Sequence, residues 1–151
     1  IKNDEKKITF NAFNNFSKRI FKVKKDLINF LNKNKPILGY GASTKGNIVL
    51  NLCNLNSKSI KYICDANLKK INKFTPGSNI KIISKKLMRR MQPKYLLVLI
   101  WSFRSEVIKE EINYLKNGGN LVFHLPKFHI VNYKNYKNYL KKSFKQFSYS
   151  Y

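Results

Sequence analysis

The stretch Ile37-Leu38-Gly39-Tyr40-Gly41-Ala42-Ser43-Thr44-Lys45-Gly46-Asn47 decides the fold. Four residues that suit a strand run into a turn rich in glycine and hydroxyl groups. A helix beginning near Gly46 runs out of it to Leu55, with Ile48, Val49, Leu52 and Leu55 expected to face a sheet. Glycines in such a turn permit positive φ and close approach of a ligand to the backbone. The N–H groups at the start of a helix, together with its dipole, favour an anion. Ser43 and Thr44 add hydroxyls and Lys45 adds a positive charge. The candidate phosphate site is therefore Gly39, Gly41, Ser43, Thr44, Lys45, Gly46 and Asn47.

The spacing departs from two familiar phosphate motifs. A dinucleotide fingerprint has its third glycine where this chain has Thr44. The Walker spacing Gly41-x4-Gly46 is present, but Asn47 stands where that motif needs lysine. An ATPase loop is thereby disfavoured, and a bare strand-to-helix turn remains open.

Outward from this turn, strands alternate with helices. Phe10, Phe13, Phe16, Ile20, Val23, Leu27 and Leu31 form one helical stripe, which Pro36 ends. Ile60–Cys64 and Ile80–Ile83 read as strands. Asn67–Lys73 reads as a loop or short helical turn, and Thr75-Pro76-Gly77 is a turn signal. Ser84 suits the N-cap of a helix reaching Met91. Tyr95–Ile100 is a continuous apolar run, as expected of a strand buried on both faces. A helix over 102–116 stops at Gly118-Gly119, and Leu121–His124 is the last strand. Residues 133–151 show no stable periodicity. The pattern predicts an α/β domain: a Rossmann-like, mostly parallel, doubly wound sheet over 35–131. A helix over 1–34 packs on it, and a basic aromatic tail over 132–151 follows.

The chain has 151 residues, of which 43% are hydrophobic, enough for one folded core. No apolar run approaches the ~20 residues of a membrane helix, and nothing reads as a signal peptide. The N-terminal residue is Ile, which suggests processing or a piece of a longer protein. Cys53 and Cys64 have no zinc-type spacing and read as buried thiols of a cytoplasmic protein. The net charge of +24 invites a nucleic-acid reading. The Lys, Asn and Ile excess, spread along the whole length, favours compositional bias instead.

Among the seven acidic residues, Asp65 ends the second strand, where dinucleotide folds bind ribose hydroxyls. A carboxylate capping a neighbouring turn would look the same. Glu106 and Glu110 share a helix face and read as partners of nearby lysines. His124 and His129 lack metal or triad spacing. Trp101 closes the most apolar strand at the end where α/β sheets bind ligands.

Taken in order, several segments resemble one family. They are Tyr40–Asn47, Ile63-Cys64-Asp65-Ala66-Asn67, Thr75-Pro76-Gly77-Ser78-Asn79-Ile80, Trp101 with Glu106, and Gly118-Gly119 with Leu125-Pro126. Together, over about Lys35 to Val131, they resemble the C-terminal domain of S-adenosylmethionine-dependent sugar C-methyltransferases. The resemblance implies a nucleotide-linked keto-sugar as substrate, facing Gly41–Asn47, Asp65 and Trp101. It implies that the methyl donor and most catalytic residues lie in a methyltransferase domain absent from this chain, beside a small zinc-binding region. The chain alone would then be inactive. Two rival readings are a non-enzymatic nucleic-acid-binding module, from the charge, and a nicotinamide-dependent oxidoreductase, from the turn and Asp65.

Overall fold

The computed structural model describes residues 10–35 and 37–141. The stop read at Pro36 and the tail beyond residue 141 lie outside the described residues. Strands β1 (Ile37–Tyr40), β2 (Ile60–Asp65), β3 (Ile82–Ser84), β4 (Tyr95–Val98), β5 (Asn120–Phe123) and β6 (His129–Val131) form one sheet in the order β3-β2-β1-β4-β5-β6. Neighbouring pairs from β3 to β5 are parallel, and β6 runs antiparallel to β5. The expected α/β class and mostly parallel sheet are both present.

Helices cover the two faces of the sheet. α1 (Phe10–Lys33) and α2 (Thr44–Leu52) lie on one face; Leu27, Leu31, Val49 and Leu50 meet Ile37, Ile63, Leu97 and Val122 there. The other face carries α3 (Lys85–Met91), α4 (Arg104–Glu110), α5 (Ile112–Lys116) and α6 (Tyr136–Lys141). Met88, Val107, Ile108 and Leu115 meet Leu38, Tyr40, Val98 and Phe123 on that side. Along β4 and just beyond it, Leu96 and Val98 serve one core while Leu97 and Leu99 serve the other. That alternation explains why the segment is apolar throughout: both faces of a parallel sheet are covered.

Several local expectations change. α2 starts at Thr44, not Gly46, and it turns a different face to the sheet from the one expected. Gly46, Val49, Leu50 and Cys53 fall at helical spacing and are buried, whereas Ile48 and Leu52 are exposed. The helix expected over 102–116 is a 3-10 turn, Trp101–Phe103, followed by α4 and α5. Its i→i+4 bonds continue through the break at Glu111, from Glu111 N–H to Val107 and from Leu115 N–H to Glu111. β6 is a strand beyond the last one expected, and α6 lies in the tail read as having no stable periodicity. Both are short, and β6 derives its order from pairing with β5, which local periodicity does not report. Ser84 does cap α3, its hydroxyl accepting Leu87 N–H at 3.1 Å.

Candidate functional site

β1 pairs with β2 on one side and β4 on the other. The chain leaves β1 toward β2 and β3, then crosses back through α3 to β4. Connections therefore diverge at the carboxyl ends of β1 and β4, which is where open α/β sheets bind ligands. A cleft of about 260 Å³ lies there, lined by Ser43, Thr44 and Lys45 on one side and Ile100, Trp101 and Phe103 on the other.

The turn that opens this cleft is built by three glycines with different tasks. Gly41 has φ +87°, a left-handed conformation that a side chain resists, and a Cβ there would also strike Ile100. Gly39 lies inside β1, where a Cβ would fall 2.7 Å from Ile63 Cγ1. At Gly46 a Cβ would fall 2.8 Å from Leu99 Cβ, so this glycine lets α2 approach the end of β4. Gly39 and Gly46 are thus close-packing positions, and Gly41 is the turn itself.

Ser43 caps α2. Its Oγ accepts Gly46 N–H at 3.0 Å, and its carbonyl accepts Asn47 N–H at 2.9 Å. The first two helical N–H groups, those of Thr44 and Lys45, precede any intrahelical acceptor. Both residues are exposed and line the cleft. Asn47 sits one turn deeper, its backbone carbonyl taking a bond from Asn51 at 2.8 Å.

Asp65 comes to the same turn from the end of β2. One oxygen accepts Ala42 N–H at 2.8 Å and the other accepts Asn67 N–H at 2.8 Å. Lys70 adds a third tie: its Nζ donates to the Ala42 carbonyl at 2.7 Å and lies 3.5 Å from Asp65. The carboxylate braces the turn from behind. Lys70 lies between two turn signals and carried no sequence cue.

Trp101 is half-buried in the wall of the cleft, edge-on to His124 with ring centroids 4.9 Å apart. His124 is fully buried, and among the described residues neither ring nitrogen meets a hydrogen-bond partner. Burial, with a smaller contribution from His129, lowers its pKa to about 4, so the ring is neutral at physiological pH.

A second polar cluster lies on the opposite face. Glu111 is 1% exposed and accepts Arg89 at 2.6 and 3.0 Å and the Tyr40 hydroxyl at 3.0 Å. Glu110 accepts the same hydroxyl at 3.0 Å and pairs with Lys85 at 2.7 Å. Burial works against ionisation of Glu110, but bonds from Lys85 and Tyr40 and the charges of Lys85 and Arg89 outweigh it, leaving its pKa below the usual carboxylate range. Glu110 therefore shares its site with Glu111, and Glu106 is exposed away from it. Among the described residues, no three His, Cys, Asp or Glu side chains converge as a metal site would require.

The sequence matches the C-methyltransferase C-terminal domain family over residues 1–126. The chain belongs to this family. It is also 35% identical over 97 residues to the C-methyltransferase NovU of Streptomyces niveus, a stretch covering 64% of this chain and 23% of that protein. The matched stretch thus spans less than a quarter of the relative's length. Among the described residues no helix is long and apolar enough to cross a membrane.

Proposed function

We propose that this chain is the substrate-holding domain of an S-adenosylmethionine-dependent C-methyltransferase acting on a nucleotide-linked keto-sugar. The observation that carries the reading is the cleft between the ends of β1 and β4, with two helix-start N–H groups and Lys45 on one wall and Trp101 on the other. The order β3-β2-β1-β4-β5-β6 supports reading the sheet as Rossmann-like and doubly wound, and in such sheets this crevice takes nucleotides. Family membership supports the methyltransferase setting.

In this reading a diphosphate meets Lys45 and the N–H groups of Thr44 and Lys45, and Trp101 offers an aromatic edge or face to the base or sugar. These contacts orient the sugar and offset phosphate charge; they perform no bond-making step. S-adenosylmethionine, which supplies the methyl group when bound, carries a sulfonium cation. The cleft presents N–H donors and an ammonium and suits an anion, and Asp65 is already engaged by the turn. The methyl donor and the transfer chemistry are therefore assigned to the rest of the whole enzyme, and this chain alone transfers no methyl group. A cytoplasmic setting accords with the two free, buried thiols Cys53 and Cys64.

The test is calorimetric titration with a nucleoside diphosphate and with its sugar conjugate. Both bind, and Lys45→Ala weakens both by about one to two decades, the worth of one charge-assisted contact. If neither ligand binds, or if Lys45→Ala binds both as well as the parent chain, the reading fails.

A further inference from the structure

Trp101 is placed by its neighbours more than by its own backbone. It heads the 3-10 turn Trp101–Phe103, whose N-cap, Ile100, contributes no side-chain hydrogen bond. On the cleft side Phe103 is 56% exposed and does not clamp the indole. Behind the indole stands His124, fully buried. β4 and β5 pair Leu97 with Val122, and His124 follows Val122 by two residues, so the sheet fixes its backbone. Val49 and Cys53 of α2 border the same hollow as His124. The helix that presents Lys45 in its first turn therefore also packs beside the ring behind Trp101.

The two ring centroids are 4.9 Å apart and the planes cross at 76°. A perpendicular pair covers at most one face of an indole and leaves the other face, or an edge, for a ligand. Among the described residues the imidazole makes no hydrogen bond, so its contact with Trp101 is one of shape. We propose that His124 is a positioning residue of the cleft: its ring holds the Trp101 indole in the wall, in the orientation that a bound base or sugar then meets. The ring placement stands on packing alone, whereas its effect on affinity rests on the nucleotide-sugar reading.

The test uses the whole 151-residue chain, whose one tryptophan and two histidines let both rings be assigned. In the free chain, nuclear Overhauser contacts join the indole to the His124 imidazole. His124→Leu keeps the core filled but removes the ring, and His124→Phe keeps a ring. His124→Leu changes the near-ultraviolet dichroism of Trp101, which reports its packing. It also weakens nucleoside diphosphate at least about three-fold, the worth of one aromatic contact. His124→Phe retains the dichroism and binds within about two-fold of the parent. Far-ultraviolet dichroism reports that the variants are folded, and His124→Met replaces His124→Leu if that variant does not fold. Missing Overhauser contacts, dichroism unmoved by His124→Leu, or equal losses from His124→Leu and His124→Phe would each overturn the proposal. Unchanged affinity in His124→Leu, where Lys45→Ala does weaken binding, removes the role of His124 and leaves the cleft standing. If the parent chain binds no nucleotide, the nucleotide-sugar reading is what fails, and the Overhauser contacts and dichroism decide the ring placement by themselves.

Discussion

The carboxylate of Asp65 accepts the backbone N–H of Ala42 at 2.8 Å, and through it the end of β2 holds the turn that follows β1. Ala42 is buried, so its N–H has no ready substitute acceptor. Lys70 closes the clamp on the Ala42 carbonyl. Asp65→Ala is expected to cost about 1–3 kcal/mol, the range for stranding a buried donor. Lys70→Met costs about 1 kcal/mol or less, because the lysine is well exposed. Thermal denaturation of both variants checks the order. A larger loss from Lys70→Met would move the anchor of the turn elsewhere.

Arg89 and Glu111 form the pair on which the other face depends. Glu111 is almost wholly buried while the Arg89 side chain is 43% exposed, so the two ends of the bridge are unequal. Removing the arginine leaves a buried carboxylate with only the Tyr40 hydroxyl. Arg89→Met should therefore cost about 2–4 kcal/mol, somewhat below the range for a fully buried pair, because water reaches the arginine side. Arg89→Met combined with Glu111→Leu should recover much of the loss, since no unpaired charge remains. Denaturant titration of the three proteins decides it; a double variant no more stable than Arg89→Met would contradict the account.

The sequence carried the sheet more clearly than it carried these clamps. The strand–turn–helix at Ile37–Asn47, the Ser84 cap and the double-faced apolar strand at Tyr95 are local signals. Each is read within a few residues, and each is found in the structure. Lys70 and Arg89 reach their partners across 28 and 22 positions, and nothing local marks them. α2 shows the limit at closer range. Its buried face carries Gly46, Val49 and Leu50 rather than Ile48 and Leu52, because Gly46 packs against Leu99, a tertiary contact that local spacing does not report. Of the two short elements after Phe123, β6 depends on pairing with β5 and α6 on packing against α4, so local periodicity marks neither.

His124 predicts a pH dependence. Its folded-state pKa of about 4 lies below the ordinary value of 6.5. The unfolded chain thus binds the proton more readily, and protonation favours unfolding. Stability from this group is fully present above pH 6.5 and is lost progressively as the pH falls toward 4. The full effect is on the order of 3 kcal/mol. His129, also lowered by burial, acts in the same direction. His124→Phe should flatten the stability profile between pH 4 and 6.5, measured as the denaturation midpoint at half-unit steps. An unchanged slope would mean that the ring is solvated as readily folded as unfolded.

Gly46 distinguishes architecture from ligand contact within the same turn. A Cβ at this position would lie 2.8 Å from Leu99 Cβ and 3.1 Å from Ser43 Oγ. Leu99 is buried in the core and cannot swing away as a surface side chain would. Gly46→Ala must therefore push the first turn of α2 off the end of β4 and disturb the cap on Ser43. Overpacking of this kind costs about 1–3 kcal/mol, partly offset by the better helix propensity of alanine. It should also weaken nucleoside diphosphate binding, because the N–H groups of Thr44 and Lys45 move with the helix. Lys45→Ala differs in kind: Lys45 is exposed and its loss should leave the melting temperature nearly unchanged while binding falls. Melting curves and calorimetry on the two variants give four numbers. Loss of stability with Gly46→Ala alone, and loss of affinity with both, is the expected pattern. Full stability in Gly46→Ala would show that α2 can sit farther from β4, and the close approach would no longer explain the glycine.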